Sequence, residues 1–224
     1  MRRGLYTPNV IYSSLLSQLD WLEHGFGTRA GPLSQQGMAT LRQIHSARVL
    51  VADRPGLAGE GDALVTKRAG VALSVRTADC YPILLVDVEA RVVAAVHAGW
   101  RGTSAGVVVE ALRRMNSAPE RVWVAIGPGI GACCYEVGAE VAQLFGDPHA
   151  KRVDLAEANR RQLRAAGVPD RNIDLLRHCT RCDAERFHSY RRDQDRAGRL
   201  ISWIAATEND AQKPSAPVDP AQCT

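Results

Sequence analysis

Two short polar segments follow apolar runs and carry side chains that can ligate a metal or act as nucleophiles. Thr77-Ala78-Asp79-Cys80 follows the run at residues 71–75, and His97-Ala98-Gly99-Trp100-Arg101-Gly102 follows the run at residues 92–96. A third candidate, His45, lies upstream. Sheet proteins commonly place functional groups in loops at strand ends. One thiol and two imidazoles form a three-ligand set, which is typical of catalytic zinc sites with an open fourth position.

Each of these residues also has a purely structural interpretation. A single cysteine such as Cys80 is usually a small buried hydrophobe, His97 can bond a carbonyl inside the core, and His45 can cap a strand. The polar residues before Cys80 and the turn fixed by Pro82 favour a functional thiol. Arg101 adds an anion-binding fork next to His97. Because the spacing of the three ligands is not a local zinc motif, the pattern alone leaves both interpretations open.

A glycine-rich loop, Gly127-Pro128-Gly129-Ile130-Gly131, follows a strand predicted at residues 122–126. Backbone N–H groups in such a loop can hold a phosphate or a ribose. The loop lacks the Lys-Ser/Thr of a P-loop and the spacing of a dinucleotide-binding fingerprint, which favours a tight crossover turn. We still expect the loop to line the site, with Gly127 and Gly129 as candidate substrate-binding positions.

The remaining cysteines form no complete metal motif in the sequence. Cys133 and Cys134 are adjacent, which suits neither an ordinary disulfide nor shared tetrahedral ligation, so packing is the favoured interpretation. Cys179 and Cys182 form one C-x-x-C pair, but a zinc ribbon needs a second pair and the sequence has none. Cys223 is expected to be inert.

Apolar periodicity predicts both strands and helices. Helices are expected from Thr103 or Ser104 to Pro119, over about residues 138–145, and from an Asp154 cap through Ala166. Early hairpins and later strand–helix alternation predict an α/β (α+β) fold with one mixed central sheet flanked by helices. The expected strands are at residues 48–52, 62–66, 71–75, 83–87, 91–96, 122–126, 173–176 and 200–204, with the fourth and fifth forming a hairpin.

Length and composition bound the domain count and the class of partner. A chain of 224 residues with 46% hydrophobic content and a net charge of +4 fits one domain, expected at residues 1–206, and a disordered tail at 207–224. The basic residues lack interleaved aromatic groups, so nucleic-acid binding is not predicted. No apolar run approaches the roughly 20 residues of a membrane span. We therefore expect a cytoplasmic protein with reduced thiols.

The motifs taken together resemble those of one family, and they occur in order from about Gly25 to Ile204. The chain resembles the laccase-domain, or polyphenol-oxidase-like, proteins, which are also called purine nucleoside phosphorylases. This resemblance implies a single α/β domain distantly similar to the cysteine-hydrolase domain of cytotoxic necrotizing factor. It rests on Gln43-Ile44-His45, Asp62-Ala63-Leu64-Val65-Thr66, the segments ending at Cys80 and Gly102, the glycine-rich loop with Cys134-Tyr135-Glu136-Val137, and Ser189-Tyr190-Arg191-Arg192-Asp193.

The resemblance implies a metal ion, usually zinc with copper as the other option, bound by His45, Cys80 and His97. It also implies phosphorolysis of adenosine, inosine and methylthioadenosine, with adenosine deamination as a further activity. The expected partners are therefore a purine nucleoside and phosphate.

Phosphorolysis needs a phosphate site and contacts to the nucleoside. We expect Arg101, together with Arg29 or Arg191, to hold the phosphate through the guanidinium fork. Asp62 or Asp79 is expected to contact the ribose hydroxyls or the purine. The predicted catalytic residues are thus Cys80, His97, Arg101 and Asp62, and the predicted substrate-binding residues are Arg29, Asp79, Gly127, Gly129 and Arg191.

The chain departs from the family pattern in one place. Family members usually carry a loop and a helix between their Thr-Arg-x-Gly and Gln-x-His segments, whereas about a dozen residues separate Gly31 from Gln43 here. We expect this short variant to have a more open site and slower phosphorolysis, because an open site excludes water poorly.

Other functions fit parts of the same pattern. Copper-dependent phenol oxidation is the older family label, but a true multicopper oxidase needs further histidine-rich sites, and the remaining histidines are scattered. A hydrolase with Cys80 as nucleophile and His97 as base, of the kind attached to peptidoglycan-precursor editing, competes with the metal interpretation because a ligating thiolate is not free to attack. A non-catalytic metal-binding domain is the alternative from another class.

Overall fold

A computed structural model describes residues 9–31 and 34–207, and two six-stranded sheets form its framework. The first sheet has the order β1-β2-β12-β7-β3-β5 and the second has the order β11-β10-β8-β9-β6-β4. The strands are β1 Val10–Ile11, β2 Leu22–Gly27, β3 Ala39–Arg42, β4 Val49–Val51, β5 Gly56–Glu60, β6 Ala63–Thr66, β7 Leu73–Thr77, β8 Tyr81–Asp87, β9 Val93–Ala98, β10 Val122–Ile126, β11 Ile173–Leu175 and β12 Leu200–Ala206.

Both sheets combine parallel and antiparallel pairs, so the predicted α/β class with mixed strand directions is confirmed. The expectation of one central sheet was wrong, because the strands divide between two sheets. The helices are α1 Trp100–Ser104, α2 Val107–Met115, α3 Ala139–Ala142, α4 Leu155–Ala165 and α5 Tyr190–Asp193, with 3-10 turns at Leu16–Gln18, Pro119–Arg121, Gln143–Phe145, Asp170–Asn172 and Gln194–Arg196.

The hairpin formed by β8 and β9 is the centre of the second sheet and is buried on both faces. Because successive side chains of a strand point to opposite faces, Ile83 and Leu85 pack in the cluster that contains α2 and α4. Leu84 and Val86 pack in the other cluster, together with residues of the first sheet. The continuous apolar runs that predicted this hairpin therefore reflect a sheet covered by helices on one side and by a second sheet on the other.

Helix α2 begins and ends at residues other than those predicted. Gly106, with φ of +77°, is its N-cap, and Thr103 and Ser104 belong instead to the separate short helix α1. Asn116, also left-handed, ends the helix before Pro119. Left-handed backbone at both ends explains the difference, since such residues interrupt a helix. The apolar face of α2 is buried, and it comprises Val107, Val108, Ala111, Leu112 and Met115.

The predicted cap of α4 is confirmed, since the Asp154 carboxylate accepts a hydrogen bond of 2.9 Å from the Glu157 N–H. No described helix is long and apolar enough to cross a membrane. The predicted tail lies outside the described residues except for Thr207, whose backbone N–H donates to the carbonyl oxygen of Trp21.

A buried histidine makes the stability of the fold depend on pH. His24 is 5% exposed, and its Nε2 accepts a hydrogen bond of 3.0 Å from the Ser13 N–H. Burial lowers the pKa of His24 to about 4 from its ordinary 6.5. Between pH 4 and pH 6.5 the unfolded chain therefore carries a proton on His24 that the folded chain does not. The contribution of neutral His24 to stability is fully present above pH 6.5 and is lost as the pH falls towards 4.

We expect His24→Gln to reduce the loss of stability between pH 7.0 and pH 4.5 by about 2 kcal/mol, the part of the difference between the two pKa values that falls in this range. The measurement is urea unfolding of the wild type and the variant at pH 7.0 and pH 4.5. His149→Gln, which removes an exposed histidine, is the control and should behave as the wild type. Equal acid sensitivity in His24→Gln and the wild type would contradict the assignment to His24.

Candidate active site

Three strand ends bring His45, Cys80 and His97 together. His45 follows β3, Cys80 immediately precedes β8, and His97 lies on β9 opposite Pro82 in the antiparallel register. Their ligand atoms all lie within 4.8 Å of one another, and the two imidazole rings meet edge to face at 4.9 Å. The three ligands predicted from separate parts of the sequence thus form one cluster.

Backbone conformation makes room for this cluster. A Cβ on Gly99 would lie 2.8 Å from the Cys80 Sγ, so the position excludes any side chain. His45 has a φ of +59°, a left-handed conformation that non-glycine residues rarely adopt without local support. That support comes from Asp62, whose carboxylate accepts hydrogen bonds from the backbone N–H groups of His45 and Ser46.

Asp62 also fixes the orientation of His97. Its Oδ1 lies 2.9 Å from the His97 Nδ1, which leaves the Nε2 of His97 for a ligand on the other side of the ring. The Asp62 side chain is 0% exposed, and it accepts a further hydrogen bond of 2.7 Å from the Ser46 hydroxyl. Asp62 was predicted to touch the substrate, but the structure buries it behind His97, where it acts as a positioning residue.

The ionisation of the cluster follows from these contacts. Burial works against the charged forms, but the hydrogen bonds to His97 and Ser46 lower the pKa of Asp62 to about 2. For His97 the same desolvation is outweighed by Asp62 and Cys80, which raise its pKa to about 9. Burial likewise opposes the thiolate, yet hydrogen bonds from His45 and His97 lower the pKa of Cys80 to about 7. A low thiol pKa favours the thiolate, the form that binds metals.

The donor set fits a bound metal ion. Two imidazole nitrogens and one thiolate are borderline-to-soft ligands of the kind that zinc and copper prefer. The carboxylate–histidine contact is the arrangement that usually orients a metal-bound imidazole. Three protein ligands leave one coordination position for substrate or water.

The cluster opens into a cavity of about 560 Å³. Among the described residues, four arginines line it, namely Arg42, Arg76, Arg191 and Arg199, of which only Arg191 was predicted. Arg42 is paired with Glu60 at 2.9 Å. The signal for Arg76 was available in the sequence, since it directly precedes the Thr77–Cys80 segment. The other lining residues are Gln43, His45, Thr77, Ala78, Asp79, Cys80, His97, Trp100, Ile130, Tyr135, Leu155 and Tyr190.

Tyr135 lies close to two of the arginines considered for phosphate binding, Arg191 and Arg101. The guanidinium of Arg191 lies 5.3 Å from the centre of the Tyr135 ring, and that of Arg101 lies 4.3 Å from the ring of Trp100. Burial raises the pKa of Tyr135 to about 12, while both arginines act on it in the opposite direction. Tyr135 therefore remains a neutral hydrogen-bond donor, and Arg101 lies close to the cavity without lining it.

Asp79 lines the cavity but already has protein partners. Its Oδ1 accepts a hydrogen bond of 2.6 Å from the Thr180 hydroxyl, and its Oδ2 accepts one of 2.6 Å from the Arg191 N–H. Asp79 therefore ties the loop after β11 and the start of α5 to the cavity. Its predicted contact with substrate stays a prediction.

Three other predicted substrate-binding residues lie away from the cavity. A Cβ on Gly127 would lie 2.2 Å from the Phe26 ring, and one on Gly129 would lie 2.6 Å from the Tyr81 ring. These glycines therefore allow close packing on aromatic rings, while the neighbouring Ile130 lines the cavity. The Arg29 side chain donates to the Ala184 carbonyl at 3.2 Å.

The segment between Gly31 and Gln43 contains strand β3 and, in its described residues, no helix. Pro32 and Leu33, which belong to the predicted short loop, lie outside the described residues. The expected slower phosphorolysis stays a prediction.

Comparisons with known proteins agree with the motifs. The family model described as multi-copper polyphenol oxidoreductase laccase matches residues 27–207. Over 188 residues the chain is 43% identical to a purine nucleoside phosphorylase from Deinococcus radiodurans, covering 78% of this chain and 72% of the relative. Over 190 residues it is 42% identical to a protein named adenosine deaminase RL5 from an unknown prokaryotic organism, covering 73% and 72%.

Solved structures share the fold. The crystal structure of YlmD from Geobacillus stearothermophilus matches with a TM-score of 0.78 at 29% identity, covering 85% of this chain and 93% of that one. The Neisseria meningitidis protein NMB0706 matches with a TM-score of 0.79 at 29% identity, covering 89% and 100%.

Proposed function

Because the chain belongs to the family described as multi-copper polyphenol oxidoreductase laccase, we propose from its named relatives and its site that it is a purine nucleoside phosphorylase. The observation that carries the proposal is that one cavity combines a His/Cys/His metal-ligand cluster, arginine side chains and aromatic rings. The substrates are adenosine, inosine and methylthioadenosine, with phosphate as the second substrate.

The residues around the cavity have separate roles in the reaction. Arg191, which contacts the Tyr135 ring, and Arg101, next to Trp100 at the cavity, hold the phosphate as a charge-assisted pair. Trp100 and Tyr190 present ring faces and edges on which a purine packs. The C1′–N9 bond of the nucleoside breaks and a bond between C1′ and an oxygen of hydrogen phosphate forms. The proton that the phosphate gives up balances the proton that the departing purine takes up. The Tyr135 hydroxyl donates a hydrogen bond to a substrate oxygen.

His45, Cys80 and His97 hold the metal, which we assign as zinc with copper as the alternative. When bound there, zinc supplies a fixed positive charge that polarises an oxygen ligand and lowers the pKa of bound water. Asp62 keeps His97 in the tautomer that presents Nε2 to the metal.

Adenosine deamination is the second candidate activity, favoured by the relative that carries that name. It would use the same cavity and the same three ligands. The two reactions are separable because deamination yields inosine and ammonia without consuming phosphate.

A true multicopper oxidase is not favoured. Within the described residues two groups of three or more metal-capable side chains exist, and neither contains His24, His149, His178 or His188. The further histidine-rich copper sites that dioxygen reduction needs therefore have no counterpart among these residues.

We expect Arg191→Lys to raise the KM for phosphate about tenfold, because it keeps the charge but loses one charge-assisted hydrogen bond. Arg101→Lys should also raise this KM. The measurement is the rate of inosine cleavage against phosphate concentration. Arg29→Lys is the matched control, since Arg29 bonds a protein carbonyl outside the cavity. An unchanged phosphate dependence in both Arg191→Lys and Arg101→Lys would contradict the predicted phosphate site.

A further inference from the structure

Four cysteines from two loops meet at a second cluster. Cys133 and Cys134 follow the glycine-rich loop, and Cys179 and Cys182 lie in the loop after β11. The Cys182 Sγ lies 3.3 Å from the Cys134 Sγ and 3.6 Å from the Cys133 Sγ. All four sulfur atoms lie within 4.8 Å of one another.

The prediction that the adjacent cysteines serve packing was wrong for Cys133. Cys133 and Cys182 are exposed, and the other two thiols are half-buried. Cysteines that pack as small hydrophobes are buried, so exposed thiols gain little from meeting one another. The sequence lacked a second C-x-x-C pair, but a turn after Gly131 lets the adjacent pair supply the two missing sulfurs.

The spacing of the sulfurs fits a shared metal ion. Zinc in a closed structural site binds four thiolates tetrahedrally with Zn–S distances near 2.3 Å, which places the sulfurs roughly 3.8 Å apart. The described separations of 3.3 and 3.6 Å are close to that edge length. A disulfide would require about 2.05 Å, and the described cysteines are free thiols.

Neighbouring N–H groups donate to two of the four sulfur atoms. The Gly131 N–H donates to the Cys179 Sγ at 3.3 Å, and the Cys182 N–H also bonds that sulfur. The side chain of Arg181 hydrogen-bonds the Cys134 thiol. Such N–H···S contacts compensate the charge of ligating thiolates.

We propose that Cys133, Cys134, Cys179 and Cys182 form a structural zinc site, distinct from the His45/Cys80/His97 cluster and independent of the proposed activity. The four-thiolate set is closed, so its role is to hold the two loops together. Those loops frame the cavity: Tyr135 directly follows Cys134, and Thr180, between the other two ligands, bonds Asp79. Arg192 donates to the carbonyls of Thr180 and Arg181 in the same loop.

The test compares metal content and ligand type in crossed variants of the full chain, purified without a tag under reducing conditions. We expect two zinc ions per wild-type chain and one in each of Cys80→Ala and Cys182→Ser. X-ray absorption of the zinc left in Cys80→Ala should give four sulfur ligands at about 2.3 Å. The zinc left in Cys182→Ser should give a mixed nitrogen and sulfur shell.

Several results would overturn the proposal. They are zinc-free Cys80→Ala with all four thiols intact, iron in place of zinc, or a disulfide among the four cysteines in the reduced wild type. Because Cys80→Ala retains all four cysteines of the proposed structural site, its zinc content tests that site even if Cys182→Ser fails to fold. If Cys80→Ala loses phosphorylase activity but keeps zinc bound by four sulfurs, both proposed metal sites are supported. If it keeps that activity, the proposed function is contradicted and the four-cysteine site is unaffected.

Discussion

Cys80→Ala is expected to lose the metal of the His45/Cys80/His97 cluster and to lower kcat/KM for inosine by about 10³-fold. The size follows from the several kcal/mol of charge stabilisation that a bound metal contributes to a transition state. Zinc content by mass spectrometry and steady-state kinetics with inosine and phosphate provide the two measurements. Cys223→Ala, which removes a thiol outside the described residues, is the control and should leave both unchanged.

Removal of the metal from the wild type separates the metal site from a Cys–His hydrolase. In a hydrolase the Cys80 thiolate is the nucleophile, so removing metal with a chelator would leave activity intact. In our proposal, chelation abolishes wild-type activity and added zinc restores it. A Cys80→Ala protein that keeps zinc on its two histidines at full stoichiometry, with wild-type rates, would contradict the three-ligand site.

Asp62→Asn is expected to weaken zinc binding at this site by about 10- to 100-fold, the usual effect of removing a partner that orients a metal ligand. The amide would also turn an N–H group towards backbone donors, because an amide has only one acceptor oxygen where the carboxylate has two. His45 and Ser46 would then lose part of the support for their loop. Competition with a chelator of known affinity measures the change in zinc affinity.

A matched control separates positioning from general destabilisation. Asp87 is also 0% exposed, and its Oδ1 accepts hydrogen bonds from the N–H groups of Glu89 and Ala90. It lies at the other end of β8 from Cys80. Asp87→Asn should lower Tm without changing zinc affinity, whereas Asp62→Asn should change both. Zinc affinity within twofold of the wild type in Asp62→Asn would refute the positioning role.

The sequence predicted the local elements well because their signals are local. The runs that became β8 and β9 are continuous and apolar, and the cap at Asp154 lies next to the helix that it begins. The division into two sheets depends on which strands pair at long range, as when β7 pairs with β12. No local pattern encodes that choice.

The difference between local signals and long-range packing also explains which site residues the sequence predicted correctly. His45, Cys80 and His97 each follow an identifiable apolar run or motif, so all three were found. The burial of Asp62 behind His97 and the removal of Gly127 and Gly129 from the cavity follow from tertiary packing against Ser46, Phe26 and Tyr81. The four-cysteine cluster was missed because its halves, about 50 residues apart, meet through tertiary contacts such as the bridge between Gly129 and Cys179.

The most direct test of the proposed function is product analysis of inosine incubated with the zinc-loaded wild type, with and without phosphate. We predict hypoxanthine and ribose 1-phosphate in equal amounts when phosphate is present, and no hypoxanthine when phosphate is omitted. Phosphorus NMR identifies the sugar phosphate and chromatography identifies the base. Release of hypoxanthine with free ribose, or no cleavage of inosine, adenosine or methylthioadenosine in phosphate, would contradict the proposal.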